Sequence, residues 1–138
     1  MSSNINIVLV KTSHPGNIGS SARAMKTMGL KKLTLVSPKN FPSEVADANA
    51  VGCKDILDQA RVVDSLGKSL LDSSLVIGFS ARSRKSNVPS LTMDELFVTL
   101  KNYENNEVSI VFGNEQSGLS NEEAVSYTHL TLPTSQYV

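Results

Sequence analysis

The strongest constraint on the fold is an alternation along the chain between short apolar, β-branched runs and longer stretches with helical spacing. This alternation is typical of βα units, whose strands run parallel. Several runs, IVLV, LVIGF and SIVF, are apolar on both faces, as strands are when helices cover both sides of a sheet. We therefore predict an α/β fold with a mainly parallel sheet and helices on both faces. The predicted strands are Ile5–Val10, Lys32–Val36, Arg61–Val63, Ser74–Phe79, Val108–Phe112 and Thr128–Leu132.

Helix signals fill most of the intervals between these strands. Ile18, Ala22, Met25 and Met28 recur at spacings of four, three and three, which puts them on one face of a helix that Gly29 can end. Further helices are predicted to begin at N-cap residues, two of which have the glutamate of a capping box three positions on. These starts are Ser43, Ser65, Thr92 with Glu95, and Ser120 with Glu123.

Length and composition favour one globular domain. The chain has 138 residues, of which 40% are hydrophobic and 19% charged, and no stretch approaches the roughly 20 apolar residues that span a bilayer. The opening MSSNINIVLV lacks the basic segment of a signal peptide, so the cytoplasm is the expected compartment and no membrane partner is expected. Cys53 is the only cysteine and two histidines accompany it, so neither a disulfide nor a metal site is predicted.

Basic and acidic residues are equal in number but unevenly distributed. Residues 1–43 hold six of the 13 basic residues and no acidic one, which gives this part a charge of +6 and the remainder −6. Arg82, Arg84 and Lys85 form a second basic concentration within the acidic part. Concentrations of this kind suit contact with a phosphate backbone.

Three loops rich in small polar residues follow strand ends, where open parallel sheets bind ligands. In segment 12–23, Gly16 and Gly19 lie near a predicted helix start. They either allow phosphate or ribose to bind close to the backbone or only form a tight turn between strand and helix. Segment 78–86 carries three bases and suits either a phosphate backbone or a solvated turn. In segment 112–120, Glu115 lies between Gly113 and Gly118, in a ligand loop or a plain glycine turn. The dinucleotide and P-loop glycine fingerprints are both missing from the sequence.

Taken in order, these loops resemble the SpoU-type branch of the SPOUT superfamily, the α/β-knot RNA methyltransferases. NIGSSARAMKTMGL matches the first family motif, N-x-G-x-x-x-R, and IVFGNEQSGLSNEE matches the second, G-x-E-x-x-G-L. The resemblance extends from about Asn4 to Leu132. The segments NINIVLVKTSHPGNIGSSARAMKTMGLKKLTLVSPK and SLVIGFSARSRK are similar to the members that methylate a ribose 2′-hydroxyl at position 32 of the tRNA anticodon loop.

The resemblance implies a trefoil knot, S-adenosylmethionine as cofactor, tRNA as substrate and a homodimer whose active site combines both subunits. It implies that Asn17 and Arg23 are the catalytic pair. We expect Arg23 to bind the phosphate beside the target ribose and to stabilise the developing alkoxide, and we expect Asn17 to orient Arg23 or the ribose for this step. Glu115 and Gly118 would shape the second-motif loop and the subunit interface. The residues implied to hold the cofactor are Phe79, Ser80, Ala81, Gly113 and Leu132.

A basic RNA-binding surface is also predicted, and tRNA binding should then weaken steeply with salt. Its residues are Lys11, Lys26, Lys31, Lys32, Arg82, Arg84 and Lys85. Two alternative functions stay open at this point: a non-catalytic α/β module that binds RNA or a nucleotide, and a methyltransferase that acts on ribosomal RNA.

The sequence departs from the family pattern near its end. Family members follow the segment that corresponds to His129–Pro133 with a tyrosine and then Ser-Leu-Asn at the start of a final helix, whereas here Thr134–Val138 follow. The expectation is a single methyltransferase domain over residues 1–138, truncated before the third-motif helix and without a C-terminal extension.

Overall fold

A computed structural model describes residues 4–80, 92–113 and 130–133. The strands in these ranges are β1 Ile5–Val10, β2 Lys32–Val36, β3 Arg61–Val63, β4 Leu75–Ser80, β5 Val108–Phe112 and β6 Leu130–Pro133. The helices are α1 Pro15–Thr27, α2 Glu44–Asn49, α3 Lys54–Asp58, α4 Leu66–Ser69 and α5 Met93–Asn102. Every strand pairs in parallel with its neighbours, in the order β3-β2-β1-β5-β4-β6. The predicted α/β fold with a parallel sheet is confirmed.

The strand limits follow the sequence pattern closely. The bounds of β1, β2, β3 and β5 are those predicted, whereas β4 begins and ends one residue later than predicted. The strand β6 is described over Leu130–Pro133, one residue past its predicted end, and its predicted start lies outside the described residues. The short helix α3 was not predicted. Its N-cap residue, Cys53, makes no side-chain capping bond, so the usual start signal is missing there. The helix predicted to begin at Ser120 lies outside the described residues.

The predicted helix caps are confirmed where the structure describes them. The α1 helix ends at Thr27 with Met28 as its C-cap residue, and Gly29 follows with a φ of 74°. At the start of α5, the Glu95 backbone N–H donates to Thr92 Oγ1 at 3.2 Å, and the Thr92 N–H donates to Glu95 Oε1 at 3.2 Å. The Ser43 hydroxyl accepts the backbone N–H of Val45 at the start of α2. The Ser65 hydroxyl accepts that of Lys68 at the start of α4.

Alternate residues of β1 point to opposite faces of the sheet, and each face has its own apolar core. Ile7 and Leu9 pack with residues of α1, α2, α3 and α5. Val8 and Val10 pack with a second cluster that includes Leu66 of α4. Helices therefore cover both faces, as the two-sided apolar strands predict. Ile18, Ala22 and Met25, the predicted inner face of α1, are all buried in the first cluster.

The central strand β1 lies between β2 and β5, so the two halves of the sheet meet along its length. The chain that leaves β1 continues to β2 on one side, and the chain that leaves β5 continues to β6 on the other. Parallel sheets bind ligands in the crevice beyond the strand ends at such a switch point. Lys11, directly after β1, has a φ of 53°, and Ser37, directly after β2, has a φ of 46°. Their backbone N–H groups donate to the Val36 and Val63 carbonyls at 2.8 and 2.9 Å. The chain therefore turns sharply at this edge.

Candidate functional site

The α1 helix starts immediately beyond β1, at the carboxyl edge of the sheet, and its first turn is already hydrogen-bonded. His14 is the N-cap residue: its Nδ1 accepts the Gly16 backbone N–H at 3.0 Å, and its carbonyl accepts the Asn17 N–H at 3.0 Å. Pro15 has no N–H to offer. The amides of this first turn are therefore used within the protein, and they do not form the open anion site that segment 12–23 suggested.

The two glycines of this segment lie inside α1 and serve helix packing. A Cβ on Gly19 would overlap the Ala46 carbonyl oxygen and lie 2.9 Å from the Ala50 nitrogen, both on the α2 side of the contact. A Cβ on Gly16 would lie 2.6 Å from Asn49 Nδ2. The glycines allow α1 and α2 to approach closely, a role different from the two that the sequence suggested.

A cavity of 420 Å³ lies beside α1 at the switch point. Strands β1 and β5 and one side of α1 supply a largely apolar lining, and Thr12, Asn17 and Ser21 supply the polar side chains. The Ser21 hydroxyl is bonded to the Asn17 carbonyl at 2.7 Å. The full lining is Ile7, Leu9, Thr12, Asn17, Ser21, Ala24, Met25, Met28, Phe112 and Gly113. Asn17 of the first motif and Gly113 of the second motif therefore line the same cavity.

Thr12 is a site residue that sequence reasoning did not assign. It is only 5% exposed and lines the cavity, and its hydroxyl has no hydrogen-bond partner among the described residues. A buried hydroxyl without a partner is unfavourable, so a polar group that enters the cavity would be stabilised by it. A threonine just after a strand carries no distinctive sequence signal, which is why it was missed.

The predicted cofactor residues come together at one edge of three adjacent strands. Phe79 of β4 is in register with Phe112 of β5 and with Leu132 of β6. Gly113 directly follows Phe112, and Ser80 is in register with Pro133. The main chains of Phe79, Ser80, Gly113 and Leu132 therefore meet at the carboxyl edge. Ala81 lies outside the described residues.

The predicted catalytic pair is not brought together within one chain. Both residues are exposed, but Asn17 lines the cavity, whereas Arg23 is not among its lining residues in the described ranges. Six residues of helix correspond to about 600° of rotation, so the two side chains leave α1 about 120° apart.

The predicted RNA-binding bases divide between opposite edges of the sheet. Lys11 follows the end of β1, whereas Lys32 is in register with Asn6 near its beginning, and Lys31 immediately precedes Lys32. A five-residue strand separates these edges by roughly 15 Å. The residues Arg82, Arg84, Lys85, Glu115 and Gly118 lie outside the described residues.

Two of the predicted RNA-binding lysines are paired with carboxylates. Lys26 Nζ lies 3.1 Å from Asp55 Oδ2. This hydrogen bond, together with the positive charge of Lys26, holds the pKa of the Asp55 carboxyl below its usual range, although desolvation acts in the opposite direction. Lys32 Nζ lies 3.0 Å from Glu107 Oε2. Both lysines are therefore partly neutralised before any RNA approaches.

A second, polar cavity of 320 Å³ opens at the amino edge of the sheet, with Lys32, Arg61 and Glu107 in its lining. Its buried polar side chains, Asn6, Thr34 and Ser69, are all hydrogen-bonded, and the Ser69 hydroxyl donates to the Leu66 carbonyl. Asn6 Nδ2 donates to Ser109 Oγ at 3.1 Å and to the Ser69 carbonyl at 3.4 Å, and its Oδ1 accepts from the Thr34 hydroxyl at 2.8 Å. This cavity therefore lacks the buried, unpartnered group that marks the cavity beside α1.

Within residues 4–80, 92–113 and 130–133, the helices are all too short or too polar to cross a membrane. The same ranges contain no cluster of three or more histidine, cysteine, aspartate or glutamate side chains suited to a metal ion.

Residues 4–138 match the model of the SpoU rRNA methylase family, and the chain belongs to this family. The predicted family is thereby confirmed. A curated relative, the tRNA (cytidine/uridine/adenosine-2′-O-)-methyltransferase TrmJ of Pseudomonas aeruginosa strain UCBPP-PA14, is 54% identical over 121 residues, which make up 86% of this chain and 47% of the relative. The chain thus spans about half the length of the curated relatives it matches.

Solved structures give the same grouping. A probable methylase family protein from Haemophilus influenzae Rd KW20 superimposes with a TM-score of 0.88 at 46% identity, over 96% of this chain and 57% of that one. TrmJ from Z. mobilis ZM4 superimposes with a TM-score of 0.85 at 32% identity, over 92% and 56% of the two chains. The SpoU methyltransferase AviRb from Streptomyces viridochromogenes, solved in complex with AdoMet, shares the fold at 15% identity and a TM-score of 0.68, over 96% and 51%.

Proposed function

We propose that this chain is the methyltransferase domain of a tRNA ribose 2′-O-methyltransferase, acting at position 32 of the anticodon loop. The observation that carries the proposal is the meeting of Phe79, Gly113 and Leu132 at one sheet edge, next to a cavity that Asn17 lines. Relatives named tRNA 2′-O-methyltransferases, at 47–54% identity, support tRNA as the substrate. The cytoplasm, which holds tRNA, is the proposed compartment.

S-adenosylmethionine is the proposed cofactor, and the residues present fit it. Parallel strands that end together leave main-chain N–H and C=O groups beyond the last ladder bonds, and such groups suit the polar ends of a nucleoside cofactor. Phe79, Ser80 and Leu132, with Gly113 beside them, would hold it, and Ala81 completes the proposed set. When bound, the cofactor supplies a methyl group on a sulfonium. The fold-level likeness to an AdoMet-bound SpoU enzyme supports this choice.

The catalytic roles proposed for Asn17 and Arg23 require two subunits. Methyl transfer needs the ribose oxygen held in line with the methyl carbon, and Asn17 at the cavity would orient the target. Arg23 would bind the adjacent phosphate and stabilise the oxygen as it loses its proton. Because Arg23 leaves α1 on a different side, we propose that a homodimer places it at the partner subunit's cavity. Glu115 and Gly118 are proposed to shape this interface, and a trefoil knot to close the cofactor site.

For RNA binding, the structure favours the carboxyl edge over the amino edge. Lys11 follows the end of β1, at the same edge as the cavity, whereas Lys32 lies near the amino edge, and Lys26 and Lys32 each form an ion pair with a carboxylate. We therefore propose Lys11, with Arg82, Arg84 and Lys85 after β4, as the principal phosphate contacts. Lys26, Lys31 and Lys32 would contribute less.

The proposal is tested by methyl transfer from labelled S-adenosylmethionine to tRNA and to ribosomal RNA. We expect the chain to label tRNA. Arg23→Ala should abolish labelling while calorimetric cofactor affinity is retained, and Lys54→Ala, an exposed base on α3, is the matched control with full activity. If only ribosomal RNA is labelled, the substrate is ribosomal RNA and not tRNA. Cofactor and RNA binding with no labelling of either RNA would favour a non-catalytic module.

A further inference from the structure

The N-cap residue of α1, His14, belongs to neither family motif. We propose that His14 is a positioning residue: its imidazole fixes the first turn of α1 and so aims Asn17 into the cavity. The inference rests on the proposed function, in which Asn17 orients the target. His14 Nδ1 accepts the Gly16 N–H at 3.0 Å, and the His14 carbonyl accepts the Asn17 N–H at 3.0 Å. One residue thus holds two successive amides.

The first turn is also confined on both sides. A Cβ built on Gly16 would lie 2.9 Å from His14 Cε1 and 3.0 Å from His14 Nδ1, and 2.6 Å from Asn49 Nδ2 of α2. The imidazole and the α2 side chain therefore enclose Gly16 with little room for the backbone to shift. Asn17 is the next residue, so this enclosure fixes the direction of the Cα–Cβ bond along which its side chain leaves the helix.

The identity of the cap makes the inference specific. The starts of α2, α4 and α5 are capped by Ser43, Ser65 and Thr92 hydroxyls, whereas α1 uses a rigid ring. To accept the Gly16 N–H, Nδ1 must be unprotonated, so the geometry assigns the proton of the neutral ring to Nε2. An aspartate can accept the same N–H and its charge suits a helix N-terminus, whereas alanine cannot accept it.

Three variants test the inference: His14→Ala, His14→Asp and the control Ser65→Ala. Ser65 caps α4 on the opposite face of the sheet, so its loss removes a cap without touching α1. We expect His14→Ala to lower kcat for tRNA methylation about tenfold, because small misplacements of a positioning group are costly, while KM for the cofactor stays unchanged. His14→Asp should recover most of kcat, and Ser65→Ala should retain it. Equal kcat losses in His14→Ala and Ser65→Ala, or no recovery in His14→Asp, would overturn the inference.

Amide hydrogen exchange gives a readout that needs no catalysis. In His14→Ala the Gly16 and Asn17 amides should exchange about fivefold faster or more, and His14→Asp should restore their protection. If the unaltered chain transfers no methyl group, the proposed function fails, and exchange alone decides the role of His14. Unchanged protection in His14→Ala would overturn the positioning role whether or not the chain is active.

Discussion

Asn17 and Arg23 leave the same helix about 120° apart, and only Asn17 faces the cavity at the switch point. If each site takes Asn17 from one subunit and Arg23 from the other, two inactive variants should complement each other. An equimolar, re-equilibrated mixture of Asn17→Ala and Arg23→Ala chains forms mixed dimers in half of the population, and each has one intact site. We expect about a quarter of unaltered activity from the mixture. Activity no higher than that of the separate variants would show that both residues serve the site of their own chain.

Gly19 and Gly67 are a matched pair for testing the role of the α1–α2 contact. Gly19→Ala should destabilise the protein by about 1–3 kcal/mol, because the new Cβ meets the Ala46 carbonyl. Gly67→Ala in α4 meets nothing within 4 Å and should be neutral or stabilise by up to about 1 kcal/mol. Chemical denaturation measures both. A stabilising Gly19→Ala change would mean that α2 moves aside easily.

Thr12→Val tests whether the buried hydroxyl serves a ligand. Valine keeps the shape and removes a hydroxyl that has no partner among the described residues, so the melting temperature should stay constant or rise. If the hydroxyl bonds to cofactor or RNA, methyl transfer should fall about tenfold. Thr27→Val, on the exposed side of α1, is the control and should leave transfer unchanged. Full transfer by Thr12→Val would remove Thr12 from the binding site.

The Lys26–Asp55 pair gives a pH and salt prediction. Because the pKa of Asp55 is lowered in the folded state, mainly by the hydrogen bond from Lys26, its contribution to stability is present at neutral pH and is lost as the pH falls through that lowered pKa. Asp55→Asn should flatten this part of the acid denaturation curve. The change should be small and should shrink with salt, since both side chains are more than half exposed.

The same substitution reports on RNA binding. Asp55→Asn frees the Lys26 ammonium and removes a negative charge, so tRNA affinity should rise modestly at low salt. Measuring affinity in Lys26→Met and in the double variant separates the two effects. If Asp55→Asn changes affinity equally with and without Lys26, the effect comes from net charge and not from the released lysine.

Strand positions were predictable because each strand's signal is local. β1, β2, β3 and β5 have the predicted limits, since their apolar runs end at polar or turn residues. The position of the short helix α3 was not predictable, because Cys53 gives no capping signal. The helix also buries few side chains, among them Ile56 and Leu57. Its stability comes from packing, which a window of sequence does not contain.

The candidate site was predictable only in part. The family motifs pointed to Asn17 and Gly113, and both residues line the cavity beside α1. The packing role of Gly19 depends on a helix that lies more than 20 residues later in the chain. The neutralisation of Lys26 by Asp55 likewise depends on a contact between distant segments. Neither spacing nor charge counting reveals such contacts.

The position of β1 between β2 and β5 has a consequence for the order in which the protein assembles. On its β2 side β1 pairs with a segment that follows shortly after it, but on its other side it pairs with Val108–Phe112, near the far end of the described chain. Contacts between distant segments form slowly because loop closure must come first. During synthesis, β1, β2 and β3 can therefore pair first and form half of the sheet. One edge of β1 then stays without a strand partner and can pair with non-native segments. The cavity is complete only when β5 arrives, so the capacity to bind a ligand is among the last properties that the folding chain acquires.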